Sequence, residues 1–153
     1  MPAVGVVGES GKKIVKILLR MTGGKSNCYH ITERQRIGPN VNILIAAEAA
    51  QMLPGLVSKL CKSDYLVVNA DDRAIFPFIS HSEAMLITYG FNAKACITAS
   101  SVADDGVQVC IQREFMGLDG AQRLPQEFFA KAEEDADDVL AAAAAWAICG
   151  KGA

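Results

Sequence analysis

Residues 3–14, Ala-Val-Gly-Val-Val-Gly-Glu-Ser-Gly-Lys-Lys-Ile, constrain the fold more than any other stretch of this chain. A short apolar run comes first, then glycines at 5, 8 and 11, then Lys12, then an apolar-periodic segment. That order predicts a buried strand, a glycine turn and a helix. Ile14, Ile17, Leu18 and Met21 fall at i, i+3, i+4 and i+7 and make one apolar helix face. Lys13, Lys16 and Arg20 lie on the other faces. The layout is that of a phosphate-binding loop. Glycines let the backbone approach an anion closely, because they lack Cβ and tolerate positive φ. The following helix offers its first N–H groups and the positive end of its dipole.

The candidate anion-binding residues are therefore Gly8, Glu9, Ser10, Gly11, Lys12 and Lys13. The loop departs from the general form G-x-x-x-x-G-K-[ST]. Val6 stands five residues before Gly11, and Lys13 stands where a hydroxyl would hold Mg²⁺. Glu9 puts a negative charge inside the loop. A tight βα turn whose glycines serve only packing is the alternative reading.

Charge supports an anionic ligand. Residues 1–36 carry seven Lys/Arg against two acids, whereas residues 37–153 carry eight against fifteen. The glycine loop lies in the basic part. No basic stripe is interleaved with aromatics, so nucleic acid is not an expected target. No apolar run is long enough for a membrane span and no segment reads as a secretory leader. The five cysteines form no C-x-x-C pair, so a reducing, cytoplasmic setting is expected. His30 and His81 read as ordinary core or surface residues, and no metal set or catalytic triad can be assembled from them.

At 153 residues a single domain is expected. Ala3–Val7, Val41–Ala46, Tyr65–Asn69 and Met85–Tyr89 read as buried strands separated by helical or turn segments. This rhythm predicts an α/β fold with a mostly parallel sheet flanked by helices. Lys94–Val102 and Val107–Phe115 alternate apolar and polar residues around Ala103-Asp-Asp-Gly106, which predicts an antiparallel hairpin extension. Met116–Gly120 reads as a second turn. A long helical tract is expected after Pro125, with an acidic run at Glu133–Asp138 and an alanine-rich segment to Cys149, ended by Gly150.

Taken together, these segments resemble the central, ATP-binding domain of the Mur ligases, which add amino acids to peptidoglycan precursors. Gly5-Val-Val-Gly-Glu-Ser-Gly-Lys-Lys13 is similar to that family's G-x-T-G-T-N-G-K-T loop, with the same glycine spacing. Ile43-Leu-Ile-Ala-Ala-Glu48 is similar to the strand ending in a metal-binding glutamate, which implies Glu48 as a metal ligand. Leu66-Val-Val-Asn-Ala-Asp-Asp72 resembles the family's V-V-N-A-D-D segment and implies Asn69 and Asp72 near the base or ribose. Leu86-Ile-Thr-Tyr-Gly-Phe91 and Asp138-Val-Leu-Ala-Ala-Ala-Ala143 resemble a later strand and the closing helix.

The resemblance implies ATP or ADP as ligand, with Mg²⁺ weakened because Lys13 replaces the hydroxyl. The family's carbamylated lysine falls on Leu56, and its His-Asn pair falls on Glu134-Asp135. The family's sugar-nucleotide domain and closing domain have no counterpart among these residues. The expectation is a nucleotide- or phosphate-binding domain without ligase activity on its own, with no catalytic residues. Two alternatives stay open: an interaction or regulatory domain in which Glu9 pairs with Lys12 or Lys13, and a subunit of a split ATP-dependent ligase. A protein partner and self-association are also left open.

Overall fold

The computed structural model describes residues 2–32, 41–48, 53–80 and 82–150. His81, read above as an ordinary residue, lies outside them. Strand β1 (Ala3–Val7) leads through helix α1 (Gly11–Met21) to β2 (Asn27–His30). Next come β3 (Ile43–Ala46), α2 (Leu53–Val57) and β4 (Tyr65–Asn69). A 3-10 turn at Arg73–Ile75 runs into α3 (Phe76–Ile79), followed by β5 (Met85–Tyr89). Strands β6 (Ile97–Ala103) and β7 (Gly106–Ile111) form the hairpin. Then follow β8 (Phe115–Met116), β9 (Gln122–Arg123), β10 (Gln126–Lys131) and α4 (Ala136–Cys149).

An eight-stranded sheet has the order β10-β7-β6-β5-β4-β3-β1-β2. From β2 to β6 the neighbours are parallel, and β7 and β10 add antiparallel. Strands β8 and β9 make a separate small ribbon around the expected turn. The fold is thus α/β, a mostly parallel sheet with an antiparallel extension. Strands β3 and β4 are buried on both faces, which is why they read as continuous apolar runs.

Helices cover the sheet on both sides. Ile14, Ile17 and Leu18 of α1 join α4 in one core, over Val4, Val6, Ile43, Ile45 and Val67. Leu56 and Val57 of α2 join Ile75, Val7, Leu44, Leu66 and Val68 in the other. Helix α4 is apolar all round because it is wedged between the sheet and α1, with Val139–Ala145 fully buried. Its alanines allow that close approach. Its C-terminal carbonyls are capped by Arg123, whose Nε donates to Ala147 O at 2.6 Å and whose Nη2 donates to Ile148 O at 3.3 Å.

The tract after Pro125 is not helical throughout. Residues 126–131 form β10, registered residue for residue on β7, and the helix starts only at Ala136. Pairing with β7 decides this. Phe128 turns inward against Trp146, with ring centroids 4.9 Å apart, and Ala130 is buried beside it. Strand β2 is a further difference: Asn27-Cys-Tyr-His30 carries no apolar run, and only its pairing with β1 makes it a strand. The hairpin strands span Ile97–Ala103 and Gly106–Ile111, shifted from the ranges that alternation suggests.

Candidate functional site

The connection that follows β1 runs to β2 on one side, and the connection that follows β3 runs to β4 on the other. The crevice outside the C-terminal ends of β1 and β3 is therefore the topological switch point, where open α/β sheets bind ligands. The glycine loop occupies it. Gly8 has φ +121°, and a Cβ there would lie 3.2 Å from the Glu48 amide nitrogen, so only glycine fits both conformation and space. Gly11 N–H donates to Gly8 O at 3.1 Å and closes a tight turn, from which α1 starts at once.

Among the described residues, the amides of Glu9, Ser10, Lys12 and Lys13 have no hydrogen-bond partner. They form an open set of donors at the positive end of α1. No ion pair joins Glu9 or Glu48 to Lys12 or Lys13; the described pairs are Arg20–Glu134 and Asp119–Arg123. Lys12 lies along a shallow groove on the outer face of α1, with Lys16 and Arg20. Lys13 acts instead on Asp138, at the start of α4.

Ser10 is the meeting point. Its Oγ donates to Glu48 Oε1 at 3.4 Å, and the Asp138 carboxyl lies close enough to feel it. Burial pushes the Asp138 carboxyl above the usual aspartate range, although Ser10 and Lys13 pull the other way. Asp137 is also raised, by burial and then by Asp71 and Asp135. Tyr89 ends β5 under this group. Burial raises its phenol strongly, and Asp137, Asp138, Glu48 and Asp72 add to the shift. The ends of β1, β3, β4 and β5 thus converge with the start of α4. Among the described residues no set of three His, Cys, Asp or Glu side chains is arranged to hold a metal ion by itself.

Asn69 and Asp72 sit at the rim of this crevice with local bonds. Asn69 Oδ1 accepts from Asp71 N–H at 2.8 Å, and Asp72 Oδ1 accepts from Ala74 N–H at 3.1 Å, capping the 3-10 turn. Asp71 holds the β5–β6 loop, accepting Phe91 N–H at 2.8 Å and Asn92 N–H at 3.0 Å. Leu56 is a core residue of α2.

Two site residues escaped the sequence reading. His30, on β2, has its Nε2 2.9 Å from Gly8 O, and its ring fills the space where a Gly11 Cβ would stand. Its Nδ1 is buried without a partner. No local signal marks it, because the contact is made across the β1–β2 pairing. Asp138 was legible only as part of an acidic helix start. Burial raises Cys28, Cys96 and Cys149, the last to about 11, and a hydrogen bond to Asp64 raises Cys61. No helix among the described residues is long and apolar enough to cross a membrane.

No protein-family model matches the chain, and no curated protein is significantly similar to it in sequence.

Proposed function

We propose that this chain is a nucleotide- or phosphate-binding domain of Mur-ligase-like type, without ligase activity on its own. The observation that carries the reading is the unpartnered set of amides at Glu9, Ser10, Lys12 and Lys13, at the switch point of the sheet. Those donors suit a phosphate, and Lys13 adds charge beside them. The rival reading, a site filled by its own Glu9–lysine ion pair, finds no such pair.

Glu48 and Asp138 crowd Ser10 with carboxylate, so an incoming phosphate needs a counter-charge. Mg²⁺ takes hard oxygen donors from one or two carboxylates together with ligand phosphates. Ser10 and Glu48 fit that role and would hold the ion beside the phosphates, where it would neutralise their charge. The chain's own residues would bind and orient the anion. With Leu56 in the core, no group is assigned to amino-acid transfer.

Calorimetric titration with ATP, ADP and inorganic phosphate, with and without Mg²⁺, tests the proposal. Saturable binding of ATP or ADP is expected. Binding that needs Mg²⁺ assigns neutralisation to the Ser10–Glu48 side, and metal-independent binding assigns it to Lys13. Absence of heat at high ligand concentration refutes the reading.

A further inference from the structure

Strand β10 closes one edge of the main sheet, and among the described residues its outer side has no partner strand. Its direction of hydrogen bonding follows from the register. Ala132 N–H donates to Asp105 O at 3.0 Å, in line with the β10–β7 pairing. Backbone groups alternate along an antiparallel strand. Gln126, Phe128 and Ala130 therefore bond to β7, and Glu127, Phe129 and Lys131 turn their N–H and C=O groups outward. Their side chains share the face opposite α4, all exposed, with the Phe129 ring lying over Gly106. Phe129 is 50% exposed.

An edge of this kind is a template for another strand, and soluble proteins normally block it. Here the charges do not block it; they make it self-complementary. A two-fold axis perpendicular to an antiparallel pair must pass through a residue opposite itself. Placed on Phe129, it sets Phe129 against Phe129 of a second copy. Glu127 and Lys131 lie two residues to either side, so each Glu127 meets the other copy's Lys131. All three positions are the ones whose backbone groups point outward, so each opposed pair exchanges hydrogen bonds directly. On the inner face Phe128 meets Ala130, large against small.

We propose that two copies of this chain join edge to edge through β10, extending the sheet across a two-fold axis at Phe129. The occupant is a second copy because the only charges on the exposed face of the strand, Glu127 and Lys131, are opposite in sign and symmetric about Phe129. Opposite charges across a strand pair stabilise it, and like charges in the same places destabilise it. This interface is independent of the nucleotide reading.

Sedimentation of the full chain over a series from micromolar to near-millimolar tests it. Wild type is expected to move from the 16.3 kDa monomer toward twice that mass. Glu127→Lys places like charges opposite each other twice and should weaken the dimer on the order of tenfold or more. The exchange Glu127→Lys with Lys131→Glu should restore it. Hydrogen exchange on wild type gives a readout that needs no variant: the amides of Glu127, Phe129 and Lys131 should gain protection with concentration. A dimer indifferent to Glu127→Lys, or one not restored by the exchange, overturns this interface. A wild-type monomer with those amides exchanging freely also overturns it, and leaves the edge to a strand of another protein.

Discussion

Gly11→Ala tests the geometry of the loop through a reversal of sign. In a helix, replacing glycine by alanine normally stabilises, by up to about 1 kcal/mol. Gly11 is the first residue of α1, where roughly half of that is expected. Its φ is not in the left-handed region, so the backbone raises no objection. The objection comes from His30. A Cβ on Gly11 would overlap His30 Cδ2 and stand 2.6 Å from Nε2 and 2.9 Å from Cγ. The ring cannot swing aside freely, because its Nε2 is bound to Gly8 O at 2.9 Å. Forcing the methyl in costs about 1–3 kcal/mol in displacement, and losing the Gly8 bond costs roughly another 1 kcal/mol. Against a gain of about 0.5 kcal/mol the net is destabilising, on the order of 2 kcal/mol.

The double-mutant cycle isolates the cause. His30→Ala removes the ring, so Gly11→Ala added to it should be stabilising by about 0.5 kcal/mol. Urea unfolding of wild type, both single variants and the double variant measures all four corners. At constant slope the midpoints give the differences directly. Two results would refute the reasoning. One is a stabilising Gly11→Ala in wild type, which would mean that the ring does not occupy that space. The other is equal destabilisation with and without His30, which would put the clash elsewhere.

Three further outcomes are expected. Because burial raises Asp138 above its ordinary value near 3.8, the folded state holds its proton more tightly than the unfolded chain does, and stability is lost as pH rises from 3.8 through the folded pKa. Asp138→Asn should therefore be more stable than wild type at neutral pH and lose that advantage below pH 3.8, as thermal melts across the range would record. Removing the α4 cap with Arg123→Met leaves Ala147 O without its 2.6 Å bond and should cost about 1–3 kcal/mol in urea unfolding, with no change in phosphate binding. Introducing hydroxyls with Glu9→Thr and Lys13→Thr should raise Mg·ATP affinity in calorimetry, and an unchanged affinity would count against the proposed site.

The turn between β1 and α1 was legible from its residues, and its surroundings were not. Glycines at 8 and 11 with lysines at 12 and 13 pointed to a βα turn, and Gly8 meets that need with its positive φ and its approach to Glu48. Gly11, read as a phosphate glycine, packs against His30. Of the two lysines, Lys12 lies along the outer face of α1, and the charge of Lys13 is felt at Asp138.

Amino-acid order alone determined β1, β4 and β5 to both ends, at Ala3–Val7, Tyr65–Asn69 and Met85–Tyr89. It also determined the apolar face of α1 and the hairpin at Asp104–Asp105. These are local properties: an apolar run between polar residues, a period, a turn dipeptide. Tertiary structure decided whatever depends on residues far apart in the chain. Gln126–Lys131 became a strand because β7 offered an edge, and Asn27–His30 became one because β1 did. Strand order placed the glycine loop at a switch point, brought His30 under Gly11, and set Asp138 of the last helix on Ser10 of the first turn. Backbone pairing satisfies donors and acceptors without regard to sequence distance, so these contacts leave no periodic trace in the chain itself.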